Sequence, residues 1–106
     1  MIEEKFVCYD TIGRFGAHDG EVAKDIIADI KSSHVDRFVI DLTRLELIDS
    51  SGIGMLLIMN AEAAAKDKSF AMIVGGGQVR KVIDMTQIGL IIPQHDSLLA
   101  YLEALR

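Results

Sequence analysis

The sequence predicts an α/β domain with a mixed, mostly parallel sheet of four to five strands and about four α-helices. Segments whose apolar residues repeat at helical spacing lie between short runs of β-branched and aromatic residues. Helices of this length join parallel neighbours, so the later strands are predicted to be parallel. With no linker, repeat or low-complexity segment, residues 1–106 are interpreted as a single domain. The predicted strands are residues 5–9, 11–15, 37–42, 69–74 and 90–92.

The first two runs are interpreted as two strands or as one bent strand that stops at Gly16. Asp19 can cap the helix that follows, and the next apolar residues recur at i, i+4 and i+8. This spacing predicts a buried stripe of Val22, Ile26, Ile27 and Ile30.

The middle of the chain predicts a central strand and a long helix. Residues 37–42 are apolar without polar alternation, which is typical of a strand covered on both faces. Residues 44–48 are interpreted as a linker, and the proline-free run 53–68, rich in Leu, Met and Ala, as a helix. A helical wheel separates Ile53, Leu57, Asn60 and Ala64 from Met55, Ile58, Met59 and Glu62. Packing in the core is one interpretation of this helix, and an exposed docking face at Met55, Ile58 and Met59 is the other.

The C-terminal third predicts a strand, two helices and a short final strand. Three glycines, residues 75–77, turn the chain into a helix from Gln78 that ends at Gly89. No phosphate-binding loop motif accompanies these glycines. Asp96 is predicted to cap the last helix, with Leu98, Leu102 and Leu105 along one side.

Composition excludes several classes of function. A formal charge of −5 without a basic patch disfavours nucleic-acid and anionic-membrane binding. The chain has no apolar run long enough to span a membrane and no secretory signal, so we expect a cytoplasmic protein. Cys8 is predicted to be a buried thiol, and His18, His34 and His95 to be surface or loop residues. No ligand spacing of a metal site is present, and no cofactor is expected.

The segment Asp49-Ser50-Ser51-Gly52 precedes the long helix and is the candidate functional site. A serine at a helix start commonly serves as a cap, but three capping side chains stand here where one suffices. Gly52 and Gly54 weaken the first turn and leave room for another protein's active site to reach Ser50.

A phosphate on Ser50 would meet free N–H groups and the positive end of the helix dipole. It would also stand beside Asp49 and, if the preceding strand end is near, Asp41. The added charge of about −1.5 to −2 would then repel an acidic or apolar partner surface. The pattern therefore indicates a phosphorylation switch. A serine hydrolase is disfavoured, because neither a nucleophile-elbow motif nor a motif that places a histidine is present.

The sequence resembles STAS domains, specifically bacterial anti-sigma factor antagonists. The similarity lies in residues 41–54 (DLTRLELIDSSGIG), in residues 79–89 (VRKVIDMTQIG) and in Pro93 with the segment Asp96-Ser97-Leu98. It covers most of the chain from Gly13 onward.

The resemblance implies a non-enzymatic protein that binds an anti-sigma factor with serine kinase activity and so frees a sigma factor. The kinase would phosphorylate Ser50, with Asp49 and Ser51 as its neighbours, and this would break the complex. A metal-dependent phosphatase would reverse the step.

The N-terminal region departs from the family pattern, because only about fifteen residues precede Gly16 where relatives have two strands. One strand is therefore expected to be missing or shortened, and an exposed edge there would offer a route to a homodimer. The alternative function is a STAS subunit of a lipid-transport or other transporter complex that is not phosphorylated.

Overall fold

The computed structural model describes residues 5–105, in which strands and helices alternate as predicted. The strands are β1 (Val7–Asp10), β2 (Gly13–Phe15), β3 (Arg37–Asp41), β4 (Leu45–Ile48), β5 (Ser69–Ile73) and β6 (Gln94–His95). The α-helices are α1 (Gly20–Ser32), α2 (Ser50–Ala65), α3 (Gly77–Thr86) and α4 (Leu98–Ala104). The predicted α/β fold is confirmed. No helix within this range is long and apolar enough to cross a membrane.

Four strands form the main sheet in the order β1-β3-β5-β6, and β2 and β4 form a second, two-stranded sheet. All neighbouring pairs among the described strands run parallel. The second sheet continues the first, because β1 leads into β2 beside β3 leading into β4. Hydrogen bonds from Thr11 N–H to Asp41 O (3.2 Å) and from Gly13 N–H to Arg44 O (3.4 Å) bridge the two ladders.

The N-terminal region therefore keeps two strands before α1, shortened to four and three residues. They follow one another along the same partner segment, as a bent strand does. The expectation was that one strand is missing or shortened, and within residues 5–105 both strands are short.

Both faces of β3 are buried, as its unbroken apolar run predicts. Phe38 and Ile40 belong to the larger core cluster, which includes residues of α1 and α2. Val39, which points to the opposite face, packs with Tyr101 of α4 in a smaller cluster. Successive side chains alternate between the faces of a strand, so one short segment supports the packing on both sides of the sheet.

The predicted wheel for α2 is wrong in its division of faces. The buried residues are Gly52, Ile53, Leu56, Met59 and Ala63, which recur every three or four positions. Met59 has no exposed surface, whereas 52% of Ile58 is exposed. Because the helix is apolar on every side, sequence alone did not reveal which face meets α1 and β5.

Residues 44–48 are not a linker, since Leu45–Ile48 forms β4 against β2. Pairing with β2 makes this segment a strand, and the β-propensity of its own residues does not indicate that pairing. Residues 90–92 are not a strand either: Ile92 N–H bonds to Ile88 O (2.8 Å) in a helical turn that buries both side chains. The last strand is Gln94–His95.

Two predicted helix boundaries also differ. Helix α3 ends at Thr86, with Gln87 in the left-handed region at φ 56°, so Gly89 is not its stop. A Cβ at Gly89 would lie 2.7 Å from Gln94 Oε1, the end of a flexible side chain that can move aside. Ser97, not Asp96, caps α4 by accepting a hydrogen bond from Ala100 N–H (3.0 Å).

Three residues are more exposed than predicted: Leu98, Val22 and Cys8. Leu102 and Leu105 pack against the smaller cluster beside buried Tyr101, whereas Leu98 is exposed. Val22 in α1 is exposed rather than part of the buried stripe, since Ala23 takes its place beside Ile26 and Ile30.

The prediction of a buried Cys8 thiol is wrong: Cys8 is exposed because β1 is an edge strand whose Val7 and Tyr9 pack on the larger core instead. Partial desolvation raises the pKa of the Cys8 thiol, and the nearby charges of Asp41 and Asp10 raise it further.

Replacing Met59 with Ala is expected to lower the free energy of unfolding by about 2–5 kcal/mol, because it leaves a cavity in the core. Ile58→Ala, one position earlier on the exposed side, is the matched control and is expected to change it by less than about 1 kcal/mol. Urea unfolding measures both. Equal losses for the two variants would contradict the observed orientation of α2.

Candidate functional site

The candidate site is the start of α2, directly after β4. Asp49 is extended at φ −114° and ψ −177°, and its Oδ1 accepts a hydrogen bond from Gly52 N–H at 2.9 Å. Its own N–H donates to Phe15 O at 3.3 Å, which attaches this residue to the end of β2. Asp49 is therefore the cap of α2, and neither serine is needed for that purpose.

Ser50 and Ser51 are the first two residues of α2, and both are exposed. Neither hydroxyl makes a hydrogen bond to any residue between positions 5 and 105. Their N–H groups lie in the first turn, where no preceding carbonyl of the helix can accept from them. An accessible hydroxyl thus stands beside unpaired donors at the positive end of the helix dipole.

The two glycines of the first turn have different roles. A Cβ at Gly52 would lie 2.4 Å from Phe15 O and 2.8 Å from Ile48 Cγ1, so the packing of α2 on β2 requires glycine. A Cβ at Gly54 would meet nothing within 4 Å. Of the two, only Gly54 fits the expectation that glycines keep the surface open for another protein.

Gly16 makes a further close approach to the cap. A Cβ there would lie 2.2 Å from Asp49 Oδ2, so only glycine lets the turn after β2 contact the carboxylate. Asp19 Oδ2 accepts a hydrogen bond from Gly16 N–H (2.8 Å) and holds this turn in place.

Gln78, the second residue of α3, also belongs to the site, although no sequence pattern indicated it. Its Oε1 accepts from Ile48 N–H and its Nε2 donates to Ile48 O, each at 3.0 Å. The side chain thus pairs with the last residue of β4 as a neighbouring strand would. Its position near Ile48 could have been inferred from topology alone, because helix starts and strand ends meet at the same edge of a parallel sheet.

Asp41 is placed apart from the serines. Its Oδ1 accepts hydrogen bonds from Thr43 N–H (2.9 Å) and Thr43 Oγ1 (2.6 Å), which stabilise the turn after β3. The whole of β4 then separates it from Asp49 along the chain. The structure therefore brings together Asp49, Ser50, Ser51, Gly52 and Gly54, but joins Asp41 to none of them.

A groove of about 430 Å³ adjoins the cap, with Asp49, Asp19, Arg14, His18 and Gln78 among the residues around it. No hydrogen bond joins His18 to Ser50 within the described range, so no triad-like pair is formed. Within the same range, no three His, Cys, Asp or Glu side chains are grouped to hold a metal ion.

The three predicted docking residues have different environments. Ile58 is exposed, Met55 is partly buried against the core, and Met59 lies inside it. Met59 is therefore wrong as a contact residue. Leu57 beside Ile58 is exposed as well and was assigned to another face.

Residues 16–93 match the family model described as "Mlab, STAS domain". Among curated proteins, no sequence matches the chain.

Several solved structures share the fold. The anti-sigma factor antagonist SpoIIAA in its unphosphorylated form is 24% identical, with 99% of this chain and 90% of that chain covered and a TM-score of 0.71. The Bacillus cell fate determinant SpoIIAA in the phosphorylated form is 21% identical, with coverage of 100% and 96% and a TM-score of 0.68. An anti-sigma factor antagonist from Mycobacterium paratuberculosis is 20% identical, with coverage of 98% and 88% and a TM-score of 0.83.

A sulfate transporter family protein from Wolinella succinogenes is 13% identical, with coverage of 88% and 78% and a TM-score of 0.67. At these identities the similarity to the solved structures shows the fold alone.

Gly52→Ala is expected to lower the free energy of unfolding by about 1–3 kcal/mol, because the added methyl group collides with the Phe15 carbonyl. Gly54→Ala, two residues later, adds its methyl group into open space and is expected to raise it by about 0.5–1 kcal/mol. Thermal and urea unfolding of the pair measure the difference. Equal effects would show that Gly52 does not pack closely on β2.

Asp49→Ala is expected to lower the free energy of unfolding by about 1 kcal/mol through loss of the cap, whereas Asp49→Asn keeps a capping oxygen and nearly all of the stability. Ser50→Ala serves as the control and is expected to change little. A larger loss for Ser50→Ala than for Asp49→Ala would contradict the assignment of Asp49 as the cap.

Proposed function

Because the chain belongs to the STAS-domain family, we propose that it is an anti-sigma factor antagonist controlled by phosphorylation of Ser50. Unphosphorylated, it binds an anti-sigma factor that has serine kinase activity, and so regulates transcription indirectly. The observation that carries this proposal is the capping of α2 by Asp49, which leaves the Ser50 hydroxyl exposed and without a hydrogen bond to any residue from 5 to 105.

The local electrostatics support a switch of this kind. The N–H groups of the first turn and the helix dipole favour a phosphate on Ser50. The Asp49 carboxylate already occupies the Gly52 N–H and stands next to the new charge. A phosphate of about −1.5 to −2 thus adds to the charge of Asp49 and repels a partner that fits the neutral serine. Release requires no rearrangement of the fold.

The exposed apolar residues of α2 support a contact surface beside the switch. Ile58 and Leu57 are exposed on the same helix that begins with Ser50, and Met55 lies partly exposed between them and the site. We propose that the kinase contacts Met55 and Ile58 while Ser50 occupies its active site.

The other steps of the cycle belong to partners. A serine phosphatase regenerates the free hydroxyl, and the chain itself supplies a binding surface rather than catalysis. It contacts no nucleic acid, and its charge of −5 supports this part of the proposal. We place the cycle in the cytoplasm.

A second candidate is a STAS subunit of a transporter complex that binds its partner without phosphorylation. The description of the family model and the similar fold of a sulfate transporter family protein favour it. Neighbouring genes for transporter components would support this candidate, and genes for a sigma factor or serine kinase would support the first.

The phosphorylation site can be tested with an anti-sigma factor kinase encoded beside this chain. Incubation with the kinase and ATP is expected to add one phosphate at Ser50, mapped by mass spectrometry. Ser50→Ala should abolish the modification, whereas the matched control Ser51→Ala should retain it. Phosphate on Ser51 alone, or on neither serine, would contradict the proposal.

Binding to the same kinase separates the switch from the transporter alternative. Ser50→Asp is expected to weaken the complex at least about tenfold by like-charge repulsion, and Ser50→Ala to bind as the unmodified protein does. Calorimetry measures both. Equal affinities for wild type and Ser50→Asp would show that charge at Ser50 does not control release.

A further inference from the structure

A second surface, separate from Ser50, lies at the open edge of the main sheet. Strand β1 pairs with β3 on one side and is the outermost strand of the sheet. Backbone groups alternate in direction along a strand, and Thr11 N–H bonds to Asp41 O on β3. The N–H and C=O groups of Cys8 and Asp10 therefore point away from the sheet. No residue between positions 5 and 105 pairs with them on that side, which leaves them available to an added strand.

Helix α1 runs beside this edge and completes a groove of about 650 Å³. Val22, Asp25, Asp29 and Ser32 recur at i, i+3, i+7 and i+10, so they form one stripe of α1 along the groove. A hydrogen bond from the Tyr9 hydroxyl to the Asp29 carboxylate joins the strand to the helix. Tyr9 also stacks on Phe38, with ring planes 5° apart, and this contact holds the Tyr9 ring in place at the inner side of the groove.

The lining of the groove has one sign of charge. It includes Asp10, Asp25 and Asp29, and no Lys or Arg from residues 5–105 lies around it. Arg44 offsets Asp10 at one end through an ion pair of 3.0 Å, while Tyr9 contributes a neutral donor to Asp29. Asp25 is exposed near the middle of the stripe. Exposed Val22 and buried Ile26 add apolar surface between the acids.

We propose that this groove binds an extended, basic segment of a partner protein, which adds to the sheet as a strand beside β1. The open backbone groups of Cys8 and Asp10 would pair with the segment, as in other complexes formed by strand addition. Its Lys or Arg side chains would meet Asp25 and Asp29. A second copy of this chain is disfavoured as the occupant, because pairing two β1 edges would bring two acidic grooves together. The proposal does not depend on phosphorylation of Ser50.

The test uses acetylated, amidated hexapeptides in which Lys alternates with Val, Ile, Thr or Phe, titrated into the isotope-labelled protein. At least one peptide is expected to bind with a submillimolar Kd and to shift the amide signals of Cys8 and Asp10. The same peptide methylated at alternate backbone nitrogens keeps its charge but loses strand hydrogen bonds, so its affinity should fall about tenfold. Replacing Lys by Glu should abolish binding.

Protein variants assign the binding to this groove. Asp25→Lys should lower the affinity for the lysine peptide by roughly three- to tenfold. Glu103→Lys makes the same change of charge at an exposed position of α4 and should leave the affinity unaltered.

The proposal is overturned if no peptide of the panel shifts Cys8 and Asp10, or if backbone methylation leaves the affinity unchanged. Equal effects of the two charge reversals would overturn it too. A stable dimer in sedimentation, lost on disruption of β1, would assign the edge to a second copy instead.

Discussion

The hydrogen bond from Gly52 N–H to the Asp49 carboxylate determines what the start of α2 can do. Because the Asp49 carboxylate caps the helix, the hydroxyl groups of Ser50 and Ser51 are not needed as caps. The same residue is bound through its N–H to Phe15 O and approached closely by Gly16. The helix start is thus held from the side of β2 while its outer surface stays open.

This arrangement depends on the continuation of β1 into β2. The extended N-terminal segment carries Phe15 under Gly52 and Gly16 against Asp49. On the opposite side, the Gln78 amide pairs with both backbone groups of Ile48. Strand, turn and helix therefore converge on Ile48 and Asp49, while the adjacent Ser50 stays exposed.

The sequence predicted the order of most strands and helices, because strongly apolar segments such as residues 37–42 and 69–74 leave few alternatives. It did not predict β4, because this strand is defined by long-range pairing with β2 rather than by its own residues. The buried face of α2 was also beyond it, since an all-apolar helix has no amphipathic signal to orient Met59.

The candidate site was located by its local sequence, but the roles within it needed the structure. Three adjacent capping residues look equivalent in a sequence, and only the backbone geometry assigns the cap to Asp49. Gly52 and Gly54 look alike too, yet only the first lies against a carbonyl group. Gln78 is thirty residues from its partner Ile48, so no short-range pattern contains it.

The most direct measurement of the central claim is hydrogen exchange at the Gly52 amide. If Asp49 alone caps α2, protection of this amide should be retained in Ser50→Ala and Ser51→Ala and lost in Asp49→Ala. Protection that disappears with either serine, or that survives removal of the Asp49 carboxylate, would contradict the account. If protection disappears in Ser50→Ala in particular, Ser50 is a structural cap rather than a free acceptor for phosphate.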